Sequence, residues 1–309
     1  MTELVKRLTT IGAAGLAALL GFAAAAQAAQ PTPWQMGMQP SATEVMSDIR
    51  WFNGFTLTII TVITLFVLAL LLWCIFRFNA KSNPSPSRTS HNTMIEVVWT
   101  VVPIIILVVI AIPSFRLLYK EATIPPFDMT VKATGLQWAW SYEYMDEGSE
   151  GIILDSYMLR GPEALAEKAA ATGRPIEEYP RLLAVDYEMV VPVDTVVRVQ
   201  VTAADVLHSF AMPAFGLKMD AVPGRLNETW FRADRTGIYY GQCSELCGKD
   251  HAFMPIAIRV VEQDQFQAWV EAAKDDVDAA NEQLMAAINA AEPETAAAAT
   301  DEDIEVAAR

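Results

Sequence analysis

The sequence predicts a two-helix transmembrane hairpin followed by an all-β sandwich. Two uncharged apolar runs, 22 residues at 55–76 and 19 residues at 97–115, are each long enough to cross a hydrocarbon core of about 30 Å as a helix. From Met129 onward the pattern changes to short alternating runs with Gly and Pro between them, as strands of a sandwich do. Charge divides along the same line. Residues 1–118 are net +3, residues 119–270 net −9 and residues 271–309 net −9, giving −15 for the 309-residue chain. With 37 Asp plus Glu against 22 Lys plus Arg, a nucleic-acid partner is disfavoured, because phosphate backbones need clustered cations.

Taken in order, residues 1–28 read as a secretory signal peptide. Lys6 and Arg7 form its charged start, Ile11 to Ala26 carries no charge, and Ala26-Gln27-Ala28 fits a small-residue cleavage site. A third span is the alternative, but the stretch is Ala-rich and only weakly hydrophobic. Residues 29–54 are then an exported segment and residues 55–118 the hairpin. Trp51, Trp73, Trp99 and Tyr119 lie near its four ends, where interfacial aromatics belong. Pro103 and Pro113 fall in the second run, where membrane helices tolerate them. Arg77, Lys81 and Arg88 occupy the linker with no acid before Glu96, so the linker is expected in the cytoplasm. Signal and linker agree in putting everything after about residue 118 on the outer side, in an oxidising compartment.

The outer domain, residues 119–274, carries strand-like runs at 129–134, 189–192, 196–202, 227–232, 237–240 and 256–261. The Ala- and Glu-rich segment 161–180 reads as an inserted helical excursion, and residues 263–274 as a short amphipathic helix closing the domain. Residues 275–309 are acidic and Ala-rich with almost no large apolar side chains. They are expected to form a weakly helical or disordered tail that buries too little surface to offset its ordering entropy.

The chemistry concentrates in Cys243–Met254 (CSELCGKDHAFM), which follows the run Ile238–Tyr240, with His208 upstream. Thiolate, thioether and imidazole together are the ligand set copper prefers. A mononuclear blue-copper site needs one Cys, two His and a weak axial Met; here a second Cys is added. Two thiolates can bridge two ions, each then needing one His and one weak ligand. Met254 can serve one ion, and a backbone carbonyl between the thiols the other. Three other readings stand beside this one: a Cys243–Cys247 disulfide, a Cys2His2 zinc site that has no use for Met254, and His208 as an ordinary core histidine. Cys74, inside the first span, reads as a small hydrophobe.

With these residues in place the chain resembles subunit II of haem-copper cytochrome c oxidases of the bacterial aa3 type. The resemblance is carried by Gln137–Tyr144 (QWAWSYEY), Asp155–Met158 (DSYM), Val206–Ser209 (VLHS), Gly216–Arg225 (GLKMDAVPGR) and Gly237–Pro255, and it covers roughly residues 42–270. It implies a cupredoxin sandwich holding a binuclear copper centre, CuA. His208 and Met254 would serve one copper, His251 and the Glu245 carbonyl the other, and Cys243 and Cys247 would bridge. The Glu245 side chain would reach a Mg or Mn ion shared with subunit I.

The resemblance makes Trp138 the residue where electrons enter from cytochrome c, with Trp140 a core residue. Ala139 and Leu136 depart from the family's usual aromatic and polar residues there. Glu143, Asp155, Asp186 and Asp205 match acidic docking positions that would steer a basic cytochrome c. Glu96, at the start of the second span, matches the mouth of the proton path into subunit I. The implied function is electron entry from cytochrome c to haem a of subunit I, where oxygen is reduced to water and protons are translocated. The implied location is a bacterial inner membrane, with the N-terminus and copper domain in the periplasm. Other oxidase subunits such as subunit III, and membrane lipid, are the further partners. No C-x-x-C-H haem motif occurs, so haem is expected only in the partner subunit. A nitrous oxide reductase would need a large catalytic domain, a quinol oxidase subunit would not need the full ligand set, and a copper carrier would need neither Trp138 nor the acidic face.

Overall fold

The computed structural model describes residues 31–291; the expected signal peptide and residues 292–309 lie outside the described residues. Helix α1 spans Glu44–Arg77 and helix α2 spans Thr93–Ala122. Thr43 caps α1 by accepting from Met46 N, and Asn92 caps α2 by accepting from Met94 N and Ile95 N. Within α1 the hydroxyls of Thr58, Thr61 and Thr64 each donate to the carbonyl four residues earlier, which satisfies them inside the helix. No residue of α2 is buried, and its apolar side chains point outward as a bilayer requires. Both helices are long and apolar enough to cross a membrane.

At 1.5 Å per residue, the 34 residues of α1 reach about 50 Å, well beyond an apolar core. The excess lies at its N-terminal end, where Val45 and Met46 are buried against the sandwich. Ala42 N donates to Ala214 O (2.9 Å), Asp234 N donates to Ala42 O (3.0 Å), and Thr43 Oγ1 donates to Phe215 O (2.8 Å). Lys120, near the end of α2, bridges Glu44 (2.7 Å) and Asp48 (2.6 Å) of α1. The sandwich-side ends of both spans are therefore held at the base of the same domain.

That domain is a sandwich of two five-stranded sheets. The strands are β1 (Met129–Leu136), β2 (Ala139–Tyr144), β3 (Ile153–Ser156), β4 (Met189–Pro192), β5 (Val197–Ala203), β6 (His208–Met212), β7 (Leu217–Ala221), β8 (Asn227–Phe231), β9 (Gly237–Cys243) and β10 (Pro255–Val261). One sheet has the order β3-β2-β1-β5-β8, the other β4-β10-β9-β6-β7. The pairs β1–β5 and β4–β10 are parallel, and the remaining neighbours antiparallel. β5 shows why it reads as a strand: Val197, Val199 and Val201 are buried, and Arg198, Gln200 and Thr202 between them are half-buried. β6 is buried along its whole length, so alternation does not mark it in the sequence.

The outer face of β10 is covered by the excursion. Helix α3 (Pro162–Thr172) and a short 3-10 turn (Ile176–Glu178) bring Leu165, Tyr179 and Ala184 together, while Val185 packs with Ile238, Tyr240 and Ala257. Beneath this layer Arg259 is ion-paired with Glu188, its Nη2 donating to Glu188 Oε1 at 3.1 Å, and both groups are buried. Burial pushes the Glu188 carboxyl up, but the guanidinium outweighs it and the net shift is down.

Helix α4 (Gln263–Ala273) closes the domain, with Trp269 buried against Tyr144. The expected tail differs from the structure over its first part. Residues 277–291 form helix α5 (Val277–Ala291), and Ala280, Leu284 and Met285 are buried. Composition averages away what the helical period gathers: Val277, Ala280, Leu284 and Ile288 recur on one face, leaving the acids on the other. Trp269 Nε1 donates to Asn281 Oδ1 (2.9 Å), Asn289 Nδ2 to Thr172 O (2.8 Å) and the Tyr187 hydroxyl to Asp278 (2.5 Å), which tie α5 to α4 and to the excursion. Packed structure thus continues past residue 274 to the end of the described residues at 291.

Glu188→Ala leaves the Arg259 charge buried and unpaired, and is expected to lower the stability of the sandwich by about 3–5 kcal/mol. Glu177→Ala, an exposed neighbour, is expected to stay within about 0.5 kcal/mol. Denaturant unfolding of the full chain in detergent, followed by tryptophan fluorescence, distinguishes the two.

Candidate metal centre

His208 opens β6 and Cys243 ends β9. These strands pair antiparallel with Phe210 opposite Cys243, and Ser244 N donates to Ser209 O at 3.0 Å. The imidazole and the first thiol therefore meet at one end of the same sheet. The chain then loops through Ser244–Asp250, makes a 3-10 turn at His251–Phe253, and re-enters the sheet after Met254. This return brings Cys247, His251 and Met254 back over Cys243.

The donor atoms converge. His208 Nδ1 lies 3.9 Å from Cys243 Sγ, and the two Sγ atoms are 3.9 Å apart. Cys247 Sγ is 3.5 Å from His251 Nδ1 and 3.5 Å from Met254 Sδ. The Glu245 carbonyl oxygen is 3.3 Å from Cys243 Sγ. The ligating atoms of His208, Cys243 and Cys247 all fall within 4.8 Å of one another. His208, Cys243, Cys247 and Met254 are buried, and His251 is half-buried. Both cysteines are free thiols. Their sulfurs are far beyond the roughly 2.05 Å of an S–S bond, which sets aside the disulfide reading.

The surroundings orient these donors. Asp205 Oδ1 lies 2.9 Å from His208 Nε2. A carboxylate can only accept, so the proton sits on Nε2 and the Nδ1 lone pair faces the sulfur. Burial pushes the Asp205 carboxyl up, but hydrogen bonds from His208, Val206 N and Gln137 N outweigh it and the net shift is down. β1 runs tight against the ring: a Cβ on Gly135 would stand 2.8 Å from His208 Cδ2, so only glycine leaves room. Trp140, fully buried, donates from Nε1 to Met254 O (3.3 Å) and meets Phe210 edge-on. Burial opposes ionisation of both thiols. At Cys243 hydrogen bonds with His208 and the loop backbone prevail and the net shift is down; at Cys247 burial and the neighbouring Cys243 charge push it up. One proton leaves the pair readily and the second is resisted. A cation bound between the sulfurs relieves that resistance, because ligand thiols bind metal deprotonated.

Trp138 is half-buried at the β1–β2 turn. Its Nε1 donates to Cys247 O at 3.3 Å, beside Gln137 Nε2 at 2.8 Å, and Lys249 Nζ lies 5.6 Å from its ring centroid. The four acids differ. Asp155 is exposed on β3, and Glu143 on β2 pairs with Lys132 (2.9 Å). Asp186 turns inward to accept from Tyr157 N and Tyr187 N (2.7 Å each), and burial pushes its carboxyl up. Asp205 is committed to His208. The Glu245 side chain is exposed, whereas its carbonyl oxygen lies against Cys243 Sγ. Glu96 stands in the first turn of α2, at the hairpin end opposite the one tied to the sandwich. Sequence reading did not assign Asp205 to the imidazole; the spacing Asp205-x-x-His208 was the available signal. It also missed Gly135 and Gln137, for which no local signal exists.

A family model described as "Cytochrome C oxidase subunit II, periplasmic domain" matches residues 129–261, and "Cytochrome C oxidase subunit II, transmembrane domain" matches residues 31–117. The probable cytochrome c oxidase subunit 2 of Rickettsia bellii (strain RML369-C) is 47% identical over 274 residues, covering 89% of this chain and 97% of its own. Cytochrome c oxidase subunit 2 of Cereibacter sphaeroides is 47% identical over 276 residues, covering 85% of this chain and 89% of its own. Among solved structures, the periplasmic domain of subunit II of cytochrome oxidase of Bradyrhizobium japonicum is 57% identical with a TM-score of 0.43, covering 50% of this chain and 99% of that one. The chain therefore belongs to the cytochrome c oxidase subunit II family.

Proposed function

We propose that this chain is the electron-entry subunit of its oxidase, accepting electrons from cytochrome c and delivering them to haem a of subunit I, where oxygen is reduced to water and protons are translocated. The observation that carries this reading is the convergence of two thiols, two imidazoles, a thioether and a carbonyl at one end of the sandwich. The donor set fits copper. Zinc would take two thiolates and two imidazoles and leave Met254 Sδ idle at 3.5 Å from Cys247 Sγ. His208 and Met254 would hold one copper, His251 and the Glu245 carbonyl the other, with Cys243 and Cys247 bridging. A copper pair held this way supplies a one-electron carrier whose bond lengths change little on reduction.

The chain's own residues shape what surrounds that pair. Asp205 keeps the His208 lone pair directed at the site, and burial of the thiols excludes water. Trp138 is half-buried and its N–H is bonded to the Cys247 carbonyl, which links the partly exposed ring to the residue that carries the second thiol. Asp155 and Glu143 on the neighbouring strands, with Asp186 and Asp205, form the acidic side proposed to receive cytochrome c. The exposed Glu245 carboxylate is free to meet a Mg or Mn ion at the subunit I boundary. Glu96 is proposed as the entry of the proton path from the cytoplasmic side, with the N-terminus and sandwich in the periplasm of a bacterial inner membrane. Subunits I and III and lipid would cover the apolar faces of α1 and α2.

Copper analysis of the purified full chain is expected to give two Cu per chain with a purple, mixed-valence spectrum; one Cu, or zinc alone, rejects the binuclear centre. Trp138→Phe is expected to slow electron entry from cytochrome c in stopped-flow measurements while the copper spectrum stays intact, and loss of the spectrum would make Trp138 structural. Glu96→Gln in the assembled oxidase is expected to impair turnover without changing the KM for cytochrome c; normal proton-coupled turnover removes its assigned role.

A further inference from the structure

We infer that Arg160 is a positioning residue for the second half of the metal loop, gripping from the excursion the turn that carries His251. The inference rests on the copper reading of that loop. His251 lies between two anchored carbonyls. Cys247 O accepts from Gln137 Nε2 (2.8 Å) and Trp138 Nε1 (3.3 Å), and Met254 O accepts from Trp140 Nε1 (3.3 Å). Between these anchors the backbone is one short 3-10 turn, with His251 N donating to Gly248 O and Phe253 N to Asp250 O. A single turn of this kind has poor hydrogen-bond geometry and little cohesion of its own. His251 is also only half-buried, whereas His208 is fully enclosed.

Arg160 reaches into this interval. Its Nη2 lies 3.5 Å from Asp250 Oδ2, immediately before His251, and its guanidinium carbon lies 5.5 Å from the centroid of the Phe253 ring, two residues after it. A cleft of about 240 Å³ lies between the two segments, lined by Met158, Leu159, Leu165 and Leu182 on one side and Phe253 on the other. Arg160 lines it as well, between its contacts to Asp250 and Phe253. The support behind Arg160 is firm: Leu159 N donates to Ala184 O (2.9 Å), Lys168 Nζ to Asp186 O (2.6 Å) and the Tyr240 hydroxyl to Glu178 O (2.6 Å). Holding the residues on both sides of His251 limits the swing that would carry its Nδ1 away from Cys247 Sγ, now 3.5 Å distant. The excursion is thus a strap across the metal loop, with Arg160 as its buckle.

The test compares the full chain in detergent, loaded with copper, with Arg160→Ala, Arg160→Lys and Arg160→Ala/Asp250→Asn. Arg160→Ala is expected to take up the wild-type amount of copper but release it to a chelator about three- to tenfold faster, as loss of one exposed ion pair and one cation–π contact implies. Its electron paramagnetic resonance spectrum should show altered imidazole hyperfine coupling, while the unfolding midpoint of the copper-free chain stays unchanged. Adding Asp250→Asn should change nothing further, and Arg160→Lys should recover part of the loss. Wild-type release and spectrum in Arg160→Ala overturn the strap, and so does an equal fall in the copper-free midpoint, which would make Arg160 merely structural. A wild-type chain that takes up no copper overturns the copper reading and the strap with it, a result distinct from failure of the variant alone.

Discussion

The pairing of β6 with β9 is the constraint on which the rest of the site depends. Phe210 opposite Cys243 sets the first thiol on the same end and face as His208. Side chains alternate across a strand, so a slip of one residue would turn Cys243 to the other face and leave the imidazole without its partner. The register is protected by a close approach. A Cβ on Gly241 would stand 2.0 Å from Ala211 O, so this strand crossing admits glycine alone. Once the rung is fixed, Trp140 fills the space beneath it and the loop from Ser244 has one direction in which to return.

The same domain is mounted on the membrane helices by backbone pairing and charge as well as by the covalent link. Ala42 and Thr43 bond to the 213–215 turn and to Ala233–Asp234, and Lys120 joins the sandwich-side ends of α1 and α2. Only residues 123–128 separate α2 from β1. A short connection with contacts on both spans holds the metal-binding end in a defined relation to the hairpin. This chain is part of an oxidase complex, and such a mount keeps its site at a constant height over the hairpin.

Bulk charge reads differently once side chains have places. The net −15 suggested steering of a basic partner. Glu188 spends its charge inside the protein on Arg259, Asp186 on two backbone amides, and Asp205 on a histidine. Glu143 is paired with Lys132, which leaves Asp155 as the clearest outward acid of the proposed docking group. In α5 Asp278 accepts from the Tyr187 hydroxyl and Glu282 is exposed.

Local chemistry was legible in the sequence alone. Uncharged runs of 22 and 19 residues announce spans, Val197-x-Val199-x-Val201 announces a half-buried strand, and Cys243, Cys247, His251 and Met254 on one loop announce a soft-metal site, because each signal is complete within a few residues. Strands buried on both faces, such as β6, carry no alternation and were found only in the fold. The tertiary structure alone decided that Asp205 holds the imidazole, that α5 packs through Ala280 and Leu284, and that Arg160 meets Asp250, 90 residues away. The physical reason is one of range. Hydropathy and ligand type belong to single residues and their neighbours, whereas orientation of a ring or grip on a loop depends on which distant segments the sheets bring into contact.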